Sequence, residues 1–192
     1  MRKKAATSII ILAFSTQIWA EEQKGPLETI GGQLDQIITE VADHTYIISK
    51  LSEDPLLSPY EIKVVIDENN IAYISGEVDT DIQYDRAIMI VSSMDKIEDV
   101  DTKNFKVKKS DSILDDVSIT AKIKGKILKE KYVEGLDISF WPIEIETKNG
   151  DVYITGEVKS QNDANNILNI AESIKGVRSV RSDLKVTIPM VE

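Results

Sequence analysis

The chain has 192 residues, no cysteine, one histidine and a net charge of −10. Without cysteine there is no disulfide framework, thiolate nucleophile or acylated lipoprotein cysteine. The single histidine, His44, makes a His-rich metal site or a Ser-His-Asp hydrolase a poor fit. So acidic a chain also lacks the broad positive field that nucleic-acid binding needs. Its composition, 42% hydrophobic and 29% charged, is that of a globular protein.

The N-terminus has the pattern of an export signal. Three positive residues precede an apolar run at positions 5–14 that is too short to span a bilayer, and the small Ala20 precedes two glutamates. We expect a signal peptide over residues 1–20, a loose leader over 21–32, and a periplasmic product that is not a lipoprotein. Cleavage removes the positive charges of Arg2, Lys3 and Lys4, which takes the net charge from −10 to −13. An uncleaved membrane anchor is the alternative.

An internal repeat organises the rest of the chain. The segment Tyr73–Val78 (YISGEV) recurs as Tyr153–Val158 (YITGEV), so that Gly76 and Gly156 lie 80 positions apart. Self-similarity of this kind sets the architecture before any propensity argument. We therefore predict a first domain over residues 33–108, a linker over 109–115, a second domain over 116–188 and a tail over 189–192.

The first copy is predicted to begin with a helix within residues 33–51, followed by a hairpin with Asn69-Asn70 at its turn. Its second helix lacks a glycine stop, because Lys96-Ile97 stands where the second copy has Gly176-Val177. After Val100 this copy carries one extra residue, which aligns Phe105 with Leu184.

The second copy shows the elements more clearly. Asp116 is expected to cap a helix that runs to about Lys131, and Asn149-Gly150 predicts a tight hairpin between two strands. A helix over residues 160–174 ends at Gly176, and a strand over 180–188 follows. The order α-β-β-α-β predicts an α+β fold, in which each copy is a three-stranded mixed sheet with two helices on one face.

This duplicated pattern resembles the BON family, the bacterial osmotic-inducible and nodulation domain. The match is best at Asn149–Gly156 and the Gly176-Val177 ending, and the first copy is a degenerate match. The resemblance implies a non-enzymatic protein of the cell envelope without catalytic residues or cofactor. It also implies binding to anionic phospholipid or a chaperone-like activity under osmotic stress.

A basic helix and an aromatic pair in the second copy are the features that fit a lipid contact. Residues 41–108 are net acidic, whereas residues 116–188 carry equal numbers of acids and bases. On the predicted helix an isoleucine stripe is flanked by lysines, a pattern that suits an anionic membrane surface. The alternative interpretation is that the isoleucines are core and the lysines are its solvated flanks. Phe140-Trp141 is expected to insert at the lipid headgroups, or else Trp141 fills the open edge of a small core or the contact between the domains. The proposed lipid-binding residues are Lys122, Lys124, Lys126, Lys129, Lys131, Phe140 and Trp141.

Two tyrosines and four glycines complete the residues of interest. Tyr73 and Tyr153 alternate with inward residues and should lie on the sheet face opposite the helices. That face is covered by the other domain or binds a partner. The glycines are assigned to turns, with no phosphate cradle among them: Gly76, Gly150, Gly156 and Gly176. Asp79 and Asp81 resemble the start of a calcium loop, but the rest of the loop is missing, so no metal is expected.

The sequence therefore predicts a peripheral phospholipid-binding protein, with a protein-interaction module for exported proteins as the alternative. No metal, cofactor or nucleic acid is expected to bind, and the oligomeric state is left open.

Overall fold

The computed structural model describes residues 44–110, 112–131 and 143–187, which all fall within one compact unit of the chain, Thr39–Glu192. The first repeat contains a helix over residues 44–53 (α1), strands Lys63–Ile66 (β1) and Ile71–Val78 (β2), helix Asp81–Ser92 (α2) and strand Asp99–Val107 (β3). The second contains helix Leu114–Lys131 (α3), strands Ile143–Lys148 (β4) and Asp151–Val158 (β5), helix Gln161–Ser173 (α4) and strand Ser179–Val186 (β6).

Each repeat builds its own three-stranded mixed sheet. The strand orders are β1-β2-β3 and β4-β5-β6, and in both sheets the first pair is antiparallel and the second parallel. An antiparallel pair needs only a short hairpin, whereas the parallel pair needs a crossover, which α2 and α4 supply. The predicted α+β class with two α-β-β-α-β units is confirmed.

The two hairpins turn in different ways. Asn149 and Gly150 have φ of 53° and 79°, so both central residues of this two-residue turn lie in the left-handed region, as predicted. In the first repeat the connection spans residues 67–70, and only Asn70 has positive φ (59°) among them. There the Asp67 carboxylate accepts hydrogen bonds from the backbone N–H groups of Asn69 (3.0 Å) and Ile71 (2.9 Å), which stabilises the wider loop.

The extra residue of the first repeat forms a β-bulge in β3. Tyr73 pairs with Asp101, but Ser75 pairs with Asn104, so β3 uses one residue more than β2 over this stretch. The matching strand β6 pairs with β5 without a break from Ser179 to Val186. Beyond the bulge, Phe105 and Leu184 oppose the equivalent glycines of β2 and β5, as the repeat alignment predicted.

Helix α3 begins two residues before the predicted cap. It starts at Leu114, so Asp116 lies in its first turn and does not cap it. Instead, the Asp116 carboxylate accepts hydrogen bonds from the backbone N–H groups of Asn149 (2.7 Å) and Gly150 (2.9 Å). The prediction that Asp116 caps α3 was wrong, because the helix begins earlier and the distant hairpin turn offers this carboxylate two donors. For α4 the predicted bounds, residues 160–174, are close to the observed Gln161–Ser173. Ser160 is the residue before this helix, and its hydroxyl accepts a hydrogen bond from the Asp163 N–H.

Two of the turn glycines lie elsewhere. Gly76 and Gly156 are inside β2 and β5, so their assignment to the turn into the next helix was wrong. The two reasons expected for glycine both hold at Gly76, which has a φ of 131° and where a Cβ would lie 2.6 Å from the carbonyl oxygen of Glu61. Gly150 and Gly176 lie outside the helices and strands, and the Arg178 N–H donates to the Gly150 carbonyl at 2.8 Å.

Candidate functional site

Helix α3 contributes to the cores of both repeats. Its isoleucines at 119, 123 and 127 are buried with the inward residues of β4, β5 and α4. Ala121 is instead part of the hydrophobic core of the first repeat, and Leu114 and Val117 pack against that core. The helix is therefore apolar on two sides, which explains why it is buried or half-buried over residues 116–129.

The contact between α2 and α3 is close enough to require glycine. A Cβ on Gly125 would lie 2.5 Å from Ser92 Cβ and 2.7 Å from the carbonyl oxygen of Met89. We call the surface formed by α2, β3 and the facing side of α3 the seam. Small residues let two helix backbones approach in this way, so the two repeats are in close contact here.

Three of the predicted lipid-binding lysines reach across the seam. Lys122 Nζ lies 2.9 Å from Asp99 Oδ1, and Lys124 Nζ lies 3.2 Å from Asp85 Oδ1. Lys129 Nζ donates to the carbonyl oxygen of Ile97 at 3.2 Å. The Lys122 side chain is 12% exposed. Lys122 and Lys124 of α3 thus meet carboxylates of the acidic first repeat.

The remaining members of the lipid-binding set are less informative. Lys126 is half-buried on α3 and borders a narrow crevice with Ser92 and Lys122. The side chain of Lys131, together with Phe140 and Trp141, lies outside the described residues. The structure therefore brings four lysines together on α3 but leaves the aromatic pair unplaced. The predicted lipid contact stays a prediction.

The two tyrosines lie on exposed faces of their sheets. Tyr73 and Tyr153 are 40% and 39% exposed, and each is on the central strand of its sheet. The Tyr73 hydroxyl donates to Asp67 Oδ2 at 3.1 Å, which raises the pKa of Tyr73. The Arg181 guanidinium lies 5.8 Å from the ring centroid of Tyr153. The repeats meet through helices at the seam, so the expectation that the other domain covers these faces is not met.

A polar cluster that sequence reasoning missed lies at the end of β2. Asp79 accepts from Lys108 Nζ (2.8 Å) and from the Tyr60 hydroxyl (2.7 Å), and Gln83 Nε2 donates to the Tyr60 oxygen. The hydrogen bond from Lys108, followed by that from Tyr60, lowers the pKa of Asp79. Asp79 was considered only as a calcium ligand, and its partners are too far away in sequence to reveal this cluster.

An open groove of about 770 Å³ separates α2 from β4. Its lining includes the exposed apolar side chains of Leu56 and Ile82. Asp85 and Lys124 also line it, but they are paired with each other. Over residues 44–110, 112–131 and 143–187, no three acidic or histidine side chains gather as a metal would require. The groove therefore presents a mixed surface without an evident nucleophile and base.

In the part of the chain that the structure describes, none of the helices is both long and apolar enough to cross a bilayer.

Comparison with known proteins relates the chain to one family. It is 26% identical over 169 residues to osmotically-inducible protein Y of Escherichia coli strain K12, covering 82% of this chain and 81% of that protein. A structural protein of the type III secretion system of Chlamydia trachomatis, CdsD, is 18% identical with a TM-score of 0.32, and the match covers 78% of this chain and 64% of that one. So low a TM-score does not establish a common overall fold. The BON domain model matches residues 45–109 and again residues 115–188. The chain belongs to the BON-domain family.

Proposed function

We propose that this chain is a non-enzymatic periplasmic protein that supports the cell envelope under osmotic stress by binding exported proteins. The observation that carries the binding role is the equivalent exposure of Tyr73 and Tyr153 on the outer faces of the two sheets. Amphipathic aromatic side chains supply contact area and one hydrogen-bonding group at low entropic cost, as in many protein interfaces.

The cellular setting rests on two supports. Similarity to osmotically-inducible protein Y extends over 82% of this chain, which favours a role in osmotic stress. The predicted signal peptide over residues 1–20 favours export, although it lies outside the described residues. A non-enzymatic role is favoured by the absence of cysteine and by the mixed, paired lining of the groove.

The protein-binding role is tested by suppression of aggregation. An exported protein is diluted from denaturant with and without an equimolar amount of the processed chain, and light scattering is followed. We expect suppression by the wild type and its loss in the variant Tyr73→Glu/Tyr153→Glu. Asn166→Glu, which adds a charge on an exposed position of α4, is the matched control and should retain suppression. Absence of suppression by the wild type at stoichiometric ratio would reject the role.

Binding to anionic phospholipid through the second repeat is the second proposal, supported by the basic composition of α3. Lys122, Lys124 and Lys129 contact the first repeat in the structure. Lipid binding through these lysines therefore requires that they exchange those contacts for phosphates. Each lysine near an anionic surface is worth about 1 kcal/mol, which an acidic chain partly opposes.

Vesicle titration distinguishes the two roles. Trp19 lies in the predicted signal peptide, so Trp141 would be the single tryptophan of the processed chain. Its emission therefore reports on the second repeat. Binding to anionic but not zwitterionic vesicles, weakened by salt and by Lys126→Glu, would support the lipid role. Lys148→Glu, an exposed residue of β4, serves as the control for charge alone. No co-sedimentation with either vesicle would reject the lipid role and leave protein binding in place.

A further inference from the structure

Among the described residues, strand β6 has an unpaired and regular outer edge. It is the last strand of its sheet, and its pairing with β5 runs without interruption from Ser179 to Val186. The equivalent edge strand of the first repeat, β3, is interrupted by the bulge between Asp101 and Asn104. Bulges protect sheet edges against pairing with another chain, and an uninterrupted edge lacks this protection. The other first-repeat edge, β1, spans four residues, Lys63–Ile66.

The hydrogen-bonding groups on the outer side of β6 can be identified. Thr187, just after the strand, donates its N–H to the Val158 carbonyl of β5 at 2.9 Å. Because backbone groups alternate along a strand, the N–H and C=O groups of the odd-numbered residues in this stretch point toward β5. Those of the even-numbered residues point away from it. In agreement, the N–H of Leu184 is turned to the Ser182 hydroxyl, at 3.3 Å. Residues 182 and 184 therefore present backbone groups on the open side.

We propose that β6 pairs with β6 of a second copy of this chain, antiparallel about a two-fold axis at Ser182, to form a dimer with one continuous six-stranded sheet. The pairing satisfies the open backbone groups of both copies. It is an interaction of the chain with itself and does not depend on the protein-binding or lipid-binding roles proposed above.

Charge favours an axis at Ser182 over an axis at the neighbouring residue 183. With the axis at Ser182, Arg181 of each copy lies opposite Asp183 of the other, on the face that carries Tyr153. A shift of the axis to residue 183 would place Asp183 against itself and Arg181 against Lys185. Opposite charges across a strand pair stabilise it and like charges destabilise it.

Apolar contact and overlap favour the same register. Val180, which pairs with the buried Val152, would lie opposite Leu184 of the other copy on the helix-covered face. An axis at Leu184 would also match charges, because Asp183 would oppose Lys185, but it would pair only residues 182–186 of the strand. The axis at Ser182 pairs residues 179–185 and is therefore preferred.

Cross-linking tests the register directly, because the chain has no cysteine. In the proposed dimer Ser182 of one copy lies opposite Ser182 of the other. Their Cα atoms would be about 5.5 Å apart, which is within the range that a disulfide spans. Under mild oxidation, Ser182→Cys should form a disulfide-linked dimer about tenfold faster than Ser179→Cys, whose residue would lie opposite Lys185. Equal rates for the two variants would overturn the register.

Sedimentation equilibrium of the processed chain tests the dimer itself. We expect a concentration-dependent dimer in the wild type and about tenfold weaker association in Asp183→Lys. Association should return in the double variant Arg181→Glu/Asp183→Lys, which restores opposite charges, and Lys185→Glu should associate like the wild type. A monomeric wild type at submillimolar concentration, or a double variant as weak as the single one, would overturn the proposal. Circular dichroism of every variant establishes that it is folded.

Discussion

Gly125 of α3 and Ser92 of α2 approach so closely that a Cβ on the glycine would lie 2.5 Å from Ser92 Cβ. This contact joins the two repeats, because Gly125 belongs to the second and Ser92 to the first. The helices can keep this spacing only while position 125 has no side chain.

Gly125→Ala should therefore destabilise the protein even though alanine is the better helix former. Overpacking typically costs about 1–3 kcal/mol, and the gain in helix propensity offsets at most about 1 kcal/mol of it. Urea unfolding measures the change. Lys126→Ala, one residue further along the same helix, is the control for propensity and should leave the free energy of unfolding nearly unchanged.

Ser92→Ala should be neutral or stabilising. The Ser92 Oγ is buried in the seam without a hydrogen-bond partner, and an unsatisfied buried polar group costs about 1–3 kcal/mol. Alanine keeps the Cβ that contacts α3 and removes only the hydroxyl. Thermal unfolding of this variant and of Ser93→Ala, whose hydroxyl donates to the Ile90 carbonyl, provides the comparison. A clear loss of stability in Ser92→Ala would show that the hydroxyl is satisfied.

Asp116→Asn should weaken the second repeat. The Asp116 carboxylate accepts from two backbone N–H groups of the hairpin, whereas an amide has one acceptor oxygen and would turn its NH₂ group toward the other donor. A hydrogen bond to a charged group contributes about 1.5–3 kcal/mol, so we expect a loss in that range. Asp115→Asn, at an exposed position of the same helical turn, should have little effect. Equal losses in the two variants would contradict the anchoring role of Asp116.

The ion pair between Lys124 and Asp85 should appear in a double-mutant cycle. Both side chains are partly exposed, at 29% and 24%, so we expect a coupling energy of about 0.5–1 kcal/mol. Lys124→Glu alone should destabilise the protein, and Asp85→Lys in the same chain should restore most of the loss. If the two substitutions are additive, the pair makes no contribution to the seam.

Acid should destabilise the first repeat through Asp67 and Asp79. Backbone hydrogen bonding from Ile71 lowers the pKa of Asp67, and hydrogen bonding from Lys108 lowers the pKa of Asp79. When the folded-state pKa of a carboxyl group is depressed, its stabilising contribution is present above the unfolded-state pKa and is lost as the pH falls through the folded-state value. The urea midpoint of unfolding should therefore be constant near neutral pH. It should decrease once the pH is below the ordinary pKa range of aspartate.

The variant Asp79→Asn isolates one part of this effect. It should be less stable than the wild type at neutral pH, and the difference should shrink as the pH falls below the ordinary range of aspartate. Glu172→Gln, on an exposed position of α4, is the control. A difference between wild type and Asp79→Asn that does not depend on pH would contradict the assignment.

The sequence predicted what the repeat itself encodes. The hairpin at Asn149-Gly150 and the extra residue before Phe105 follow from local turn chemistry and from comparing the two copies, and both are confirmed. Contacts between the copies could not be found in this way, because they relate residues that the alignment does not pair. Ala121 and Gly125 read as ordinary members of an amphipathic helix until α2 is placed beside them.

The same limit applied to the candidate site. Charge counts suggested that the lysines of α3 are available to a membrane, but Asp85 and Asp99 lie close to them only in the folded protein. The exposure of Tyr73 and Tyr153 follows from strand alternation, whereas their freedom from the other repeat depends on which faces meet.

The double packing of α3 means that the two copies are no longer interchangeable modules. An ancestral duplication would have produced equal units, but here one side of the second unit completes the core of the first. Separating the repeats would remove α3 from α2 and leave Asp85 and Asp99 without their lysine partners. Dissection into single BON domains would therefore change the molecule that is being studied, and the tandem pair is the smallest part of the chain that keeps its interior intact.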